Sequence, residues 1–308
     1  MKKIITLTVN PALDKSITVP ELVPDKKLRA SEGKTEPGGG GVNISRALKK
    51  LGAESEAVYF SGGYPGRHFD ALLEAEGVHT KPLFIQEDTR ENFIVVNKAT
   101  GQQYRFGMEG PEISASEIES CFAYLRGCRM DYLVVSGSMA PGIPPDIITE
   151  LAAMARKNSA RLIVDTSGEA LAKAVEAGVF LLKPNLGELS IVTGRERIAP
   201  GEIADAARSI IQKGGCEMMA VSMGSDGAML VSAKEQFRVK APAVEKKSTV
   251  GAGDSMVAGM LLALTNDWPM QDVLRYGAAC GTAATMNEGT ELCRKEDADH
   301  LFQQISIE

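Results

Sequence analysis

The chain has 308 residues, 44% of them hydrophobic and 24% charged, with a formal net charge of −6. That length suits one large α/β domain or two smaller ones, and an acidic balance without long blocks of like charge excludes a general nucleic-acid surface. The five cysteines (Cys121, Cys128, Cys216, Cys280, Cys293) lack CxxC spacing and the three histidines (His68, His79, His300) lie far apart, so free thiols are expected and a His/Cys zinc site is not.

The N-terminal stretch has two lysines but no signal-peptide core, and no apolar run is long enough to span a membrane. A cytoplasmic protein without a membrane partner is expected. Lys3–Val9 alternates with β-branched residues and predicts a first strand, ended by Asn10-Pro11. The irregular piece up to Pro37 carries Asp14 and the basic residues Lys26, Lys27 and Arg29, and reads as strands or loop outside the main core. Gly38-Gly39-Gly40-Gly41 follows; four consecutive glycines suit close approach of backbone to a ligand better than a strand or helix interior. Helical spacing resumes at Val42 and stops at Gly52.

Glu56–Phe60 predicts a strand and Gly66–Glu76 a helix. Asn92–Asn97 and Gln103–Phe106 flank Lys98-Ala99-Thr100-Gly101 and predict a hairpin bearing Arg105, with Arg90 just before it. With residues 15–36 this hairpin is expected to form a small separate sheet, a lid. Ser114 and Glu117 form a capping-box signature for a helix to about Gly127. Strands are then predicted at Asp131–Val135, Arg161–Val164, Phe180–Leu182 and Met218–Ser222. Helices are predicted between them at Ile147–Ala155, Glu169–Glu176, Leu186–Val192 and Glu202–Lys213. Ala228–Val231 and Gln236–Val239 complete the strands. This alternation predicts a doubly wound, mostly parallel sheet flanked by helices, with ligands beyond the carboxyl ends of its strands.

Neither GxxxxGK[ST] nor GxGxxG occurs, so a Walker loop and a Rossmann fingerprint are absent. What stands out instead is Thr249-Val250-Gly251-Ala252-Gly253-Asp254, followed by Val257, Met260, Leu261 and Leu264 at helical spacing. A helix with one apolar face is expected to start near Asp254, with the Gly251–Gly253 amides open to an anion. Asp254 reads either as a helix cap or as a catalytic base. With the first glycine run it suggests group transfer between two substrates in one cleft. Asn185 and Glu188 lie one helical turn apart after Lys183-Pro184; they could hold Mg²⁺ through its waters or simply cap a helix. Arg90, Lys27 and Arg29 read as a sugar-phosphate clamp or as solvated surface.

Gly38-Gly39-Gly40-Gly41-Val42-Asn43 and Thr249-Val250-Gly251-Ala252-Gly253-Asp254-Ser255 together resemble the two signatures of the ribokinase-like (PfkB) carbohydrate kinase family, and the resemblance covers essentially the whole chain. The opening Thr-Leu-Thr-Val-Asn-Pro-Ala-Leu-Asp is similar to its sugar-phosphate kinase branch. The resemblance implies one ribokinase-like domain over residues 1–308, a β-sheet lid at about 12–36 and 88–108, and a homodimer paired through the lid. It implies Asp254 as base with Gly251, Ala252 and Gly253 around the transferred phosphoryl group. It places Asp14, Gly39, Gly40, Asn43, Arg90, Arg105 and Ser138 at the sugar phosphate, with Lys27 and Arg29 near its phosphate. ATP is implied at Lys183, Asn185, Ser222, Gly224, Gly227, Gly251 and Gly253. Mg²⁺ is implied near Asn185 and Glu188, and K⁺ in a loop of Ser248, Val250, Ala284, Asn287 and Gly289. The implied reaction is phosphorylation of the C1 hydroxyl of fructose 6-phosphate, with tagatose 6-phosphate or fructose 1-phosphate as alternative acceptors. A sugar-phosphate sensor without catalysis is the alternative of another class.

Overall fold

The computed structural model describes residues 2–31 and 33–308. In chain order, β1 (Ile4–Thr8) leads to β2 (Ala12–Val19) and β3 (Lys34–Gly38). Helix α1 (Gly40–Lys50), β4 (Glu56–Ser61), α2 (Gly63–Ala75) and β5 (His79–Phe84) follow, then β6 (Arg90–Asn97) and β7 (Gln103–Phe106). Next come α3 (Ala115–Gly127), β8 (Tyr132–Ser136), α4 (Ile147–Lys157), β9 (Arg161–Asp165), α5 (Gly168–Ala177) and β10 (Val179–Leu182). Helices α6 (Leu186–Thr193) and α7 (Ile203–Gln212) precede β11 (Cys216–Ser222), β12 (Ala228–Ser232) and β13 (Gln236–Val239). The chain closes with α8 (Ala252–Thr265), α9 (Met270–Thr285) and α10 (Lys295–Gln304).

The main sheet has nine strands in the order β13-β12-β11-β10-β9-β8-β1-β4-β5. It is parallel from β11 to β5, and β12 and β13 join antiparallel. Every residue of β1 and β8 is buried, because alternate side chains face opposite helical layers. Ile5, Leu7, Leu133 and Val135 join the core under α4, α5 and α7. Ile4, Tyr132 and Val134 join the core under α1, α8 and α9. From β1 the chain steps outward to β4 and β5, then returns to β8 on the other side of β1. That reversal opens a crevice at the carboxyl ends of β1 and β8.

A second, four-stranded sheet has the order β3-β2-β6-β7. The expected hairpin is its β6–β7 pair, while β2 runs parallel to β6. Pleat parity and strand register put Asp14, Arg90, Asn92 and Arg105 on one face and Ile17, Phe93, Val95, Tyr104 and Phe106 on the other.

Several elements depart from the sequence reading. Strand β5 was not predicted; Pro82 within it weakens a strand pattern, but β5 is the sheet edge, where a missing N–H costs no ladder bond. The glycine run divides between elements: Gly38 ends β3, Gly39 is the junction at φ 118°, and α1 begins at Gly40 rather than Val42. Helix α8 begins at Ala252, and it is buried nearly all round rather than along one face, because it packs between α1 and α9. Among the described residues, no helix is long and apolar enough to cross a membrane.

Candidate active site

The two glycine-rich helix starts meet. Gly39 must be glycine, since a Cβ there would lie 2.7 Å from Thr8 Cγ2 on a backbone with positive φ. Thr8 Oγ1 accepts a hydrogen bond from Val42 N at 2.8 Å, which ties the first turn of α1 to the end of β1. One turn into α1, Asn43 points at the start of α8, and its Nδ2 donates to Asp254 Oδ2 at 2.9 Å.

The helix-cap reading of Asp254 is corrected here. The N-cap of α8 is Gly251, left-handed at φ 73°, with no side-chain cap bond. Asp254 lies three positions further along, and its carboxylate faces Asn43 instead of the helix amides. The first helical bond runs from Ser255 N to Gly251 O at 2.8 Å. The amides of Ala252, Gly253 and Asp254 therefore stand ahead of the ladder, at the positive end of the helix dipole. At Gly251 the left-handed φ of 73° is what disfavours a side chain; a Cβ would also displace Leu292 Cδ2, which would lie 2.6 Å away.

Asp254 shares its surroundings with two groups at neighbouring strand ends. Lys183, after β10, pairs its Nζ with Asp165 Oδ1 of β9 at 3.1 Å, and both side chains are largely buried. Burial, and then the negative charge of Asp165, push the Asp254 carboxyl up to about 7; Asn43, Lys183 and Arg46 pull the other way. Burial lowers the Lys183 pKa, but Asp165 first and then Asp254 and Glu188 outweigh it, so its net shift is upward and it stays charged. The result is a carboxyl titrating near neutrality beside a fixed cation and an open helix terminus. Such a group can take a proton while anionic charge develops next to it.

The other half of the cleft lies between the crevice and the second sheet. Arg90 donates from Nη1 to Met108 O at 2.7 Å, and from Nη2 to Asn10 O at 2.9 Å and Ser138 Oγ at 3.3 Å. Its Nε is buried without a partner among the described residues, as is Asn10 Oδ1. Buried polar atoms rarely stay unpaired, so both are candidate ligand contacts. Asp14 Oδ1 accepts from Asn92 Nδ2 at 2.9 Å. Burial raises the Asp14 pKa, opposed by Asn92 and Arg90.

The structure thus brings together Asp14, Arg90 and Ser138 as one set, and Asn43, Asp254, Lys183 and the Gly251–Gly253 turn as another, with Gly39 and Gly40 at the start of α1 beside them. Ser222, Gly224 and Gly227 lie at the end of β11, beside Asn185, whose backbone bridges to Ser222. Lys27 and Arg29 do not join either set: both are exposed in the loop between β2 and β3, without a hydrogen bond or ion pair among the described residues. Arg105 shares the face of Asp14 but sits on the outermost lid strand, where among the described residues its side chain reaches only Gln103 Oε1 at 3.2 Å.

Asn185 and Glu188 form a reciprocal capping box, Glu188 N to Asn185 Oδ1 at 2.9 Å and Asn185 N to Glu188 Oε2 at 2.8 Å. The cap reading holds for both. In the C-terminal loop Ser248 Oγ donates to Gly289 O at 2.7 Å, and Asn287 Nδ2 to Leu292 O at 3.0 Å. Asn287 N donates to Ala284 O at 3.2 Å. Thr290 Oγ1 is buried there without a partner among the described residues, and the carbonyls keep a second lone pair, so this oxygen-rich loop fits a monovalent cation.

Asn10, Asn92, Asp165 and Arg46 were not among the expected site residues. Asn10 read only as a turn before Pro11, and Asp165 only as a polar strand end. No sequence signal marks Asn92 or Arg46, which earn their place through partners distant in the chain.

Comparison with known proteins follows the same lines. The sequence model for pfkB family carbohydrate kinases matches residues 8–297. The chain is 38% identical over 308 residues to ATP-dependent 6-phosphofructokinase isozyme 2 of Escherichia coli (strain K12), covering 99% of this chain and 100% of that protein. It is 33% identical over 307 residues to 1-phosphofructokinase of Borreliella burgdorferi, covering 99% and 98%. The crystal structure of phosphofructokinase-2 from Escherichia coli in complex with potassium superposes with a TM-score of 0.95 at 38% identity over 99% of each chain.

Proposed function

The chain belongs to the pfkB family of carbohydrate kinases and is an ATP-dependent sugar-phosphate kinase, and from that premise we propose that it phosphorylates the C1 hydroxyl of fructose 6-phosphate to give fructose 1,6-bisphosphate. The observation that carries this reading is Asp254, held by Asn43 at 2.9 Å ahead of the open amides of α8. Asp254 accepts the C1 hydroxyl proton as that oxygen attacks the γ-phosphorus of ATP and ADP leaves. The Gly251–Gly253 amides and Lys183 stabilise the charge that develops on the transferred phosphoryl group. Asp14, Gly39, Gly40, Asn43 and Ser138 orient the sugar. Arg90 holds its phosphate; Lys27, Arg29 and Arg105, which among the described residues make no hydrogen bond with Arg90 or Ser138, would have to be carried to it by movement of the lid. Asn185, Ser222, Gly224 and Gly227 line the nucleotide side. The lid excludes water that would otherwise hydrolyse ATP.

Asn185 and Glu188 would hold Mg²⁺ through its waters, and the ion would supply positive charge to the β- and γ-phosphates. K⁺ belongs in the loop of Ser248, Val250, Ala284, Asn287 and Gly289, which leads directly into the Gly251 turn. Exchange of potassium for a large organic cation is expected to lower kcat, and unchanged activity would count against this site.

The outer lid face supports pairing of two copies. Phe93 is 37% exposed, Tyr104 38% and Phe106 51%, a share of apolar surface that a lone subunit leaves in water. Light scattering is expected to give about twice the 32.8 kDa chain mass, and Phe106→Glu to shift it toward the monomer. A dimer that Phe106→Glu leaves intact would place the interface elsewhere.

The substrate assignment is tested by ADP release with Mg-ATP across a panel of sugar phosphates. Fastest turnover is expected on fructose 6-phosphate. Faster turnover on fructose 1-phosphate or tagatose 6-phosphate would move the substrate and keep the chemistry. Ligand binding without turnover on any of them would make the protein a sensor.

A further inference from the structure

Arg46 lies one turn after Asn43 on α1 and is only 4% exposed, and among the described residues it makes no hydrogen bond to Asp254 itself. Four of the five N–H groups of its guanidinium are engaged. Nε donates to Glu76 Oε2 at 2.7 Å and Nη2 to Glu76 Oε1 at 2.6 Å, a bidentate clamp from the end of α2. Nη1 donates to Pro37 O at 2.7 Å and to Asn43 Oδ1 at 3.2 Å. The first of these acceptors is on β3, where the lid joins the main domain, and the second is the residue that holds Asp254.

The contact to Asn43 matters because a carboxamide has one donor end and one acceptor end of nearly equal size. Packing alone does not choose between them; their partners do. With Arg46 on Oδ1, the Nδ2 end must face Asp254, where it donates at 2.9 Å. Turned over, Asn43 would set an oxygen against the carboxylate, and the two would repel. The Glu76 clamp in turn stops the guanidinium from swinging away. A lysine could not replace it, since one ammonium on a flexible stem cannot serve Glu76, Pro37 and Asn43 at these separate positions.

We propose that Arg46 is a positioning residue for phosphoryl transfer: clamped by Glu76, it fixes the amide of Asn43 in the orientation that holds Asp254, and it ties that arrangement to the root of the lid at Pro37. The inference rests on Asp254 being the base. A bland ion pair that merely fastens α1 to α2 would also be buried, but its loss would be felt as stability and would not depend on Asn43.

A double-mutant cycle in kcat separates the two. Arg46→Met in the full-length enzyme is expected to lower kcat roughly tenfold or more, with KM for ATP little changed. In an Asn43→Ala background the same substitution is expected to cost less than about threefold, because its route to Asp254 is already gone. Arg46→Lys is expected not to restore kcat. Glu76→Gln, which loosens the clamp but leaves the arginine, is expected to lower kcat only when Asn43 is present, and it carries the test if Arg46→Met does not fold. Losses that add in full in the Asn43→Ala background, or wild-type kcat in Arg46→Lys, would overturn the proposal. Failure of the base reading looks different: Asp254→Asn would then keep the parent's kcat whatever residue stands at 46.

Discussion

Replacement of Asp254 by Asn is expected to lower kcat by roughly 10²–10⁴-fold, the usual worth of a positioned general base. The KM values for sugar phosphate and ATP should move by much less, since the amide keeps the size of the carboxyl and leaves Lys183, Arg90 and the glycine turn in place. In the parent, activity should fall as pH drops below about 7, because the base is then protonated. The same variant carries a stability signature of opposite sign. Burial and Asp165 raise the Asp254 pKa from 3.8 to about 7. Between those values the unfolded chain releases a proton that the folded chain keeps. Folding stability is therefore lost as pH rises through that window, and the loss is complete above it. Asn does not ionise, so Asp254→Asn should melt higher than the parent at pH 8 and by a smaller margin at pH 5. Melting curves at the two pH values, alongside kcat, check both claims. A variant that is inactive but no more stable at pH 8 would mean that Asp254 is not desolvated as described.

Arg90→Ala is expected to raise KM for the sugar phosphate by roughly 10–100-fold, the equivalent of a lost hydrogen bond to a charged group. The effect falls on KM because the contact is made in the ground state as well as in the transition state. Arg90 is held ready by Met108 O, Asn10 O and Ser138 Oγ, and its Nε has no acceptor among the described residues. Substrate therefore meets a donor that needs no reorganisation. Burial lowers the Arg90 pKa and Asp14 raises it, but guanidinium remains charged at neutral pH. Steady-state kinetics with each substrate varied in turn distinguishes this role from a structural one. An equal rise in KM for ATP would show that Arg90 holds the cleft together rather than the sugar phosphate.

Much of this arrangement could be read before any coordinates. The alternation from Asp131 to Ser222 predicts a parallel sheet because strands buried on both faces read as unbroken apolar runs. The hairpin at 92–106 and the capping box at Ser114 are equally local, since turn and cap chemistry act over a few residues. The two glycine runs announced backbone approach, and Gly39 and Gly251 both have positive φ. Strand β5 escaped notice because Pro82 is tolerated only at an edge, and edge position is a property of the whole sheet.

The candidate site divides in the same way. Asp254 was identifiable as a cap or a base from its place after Gly251-Ala252-Gly253, and local sequence supports either role. The choice rests on Asn43, which is 211 positions away in the chain and reaches the carboxylate only because α1 and α8 pack side by side. The same holds for the pair of Lys183 and Asp165, brought together by adjacent strands, and for Arg46 between Pro37 and Glu76. By itself the sequence determined the elements, the open turns at the helix starts and the residue types able to carry phosphoryl transfer, because these depend on periodicity and backbone geometry over short spans. Only the tertiary structure decided which way Asp254 faces and how far its carboxyl is pushed toward neutrality, because burial and the field of distant charges arise when the chain closes on itself.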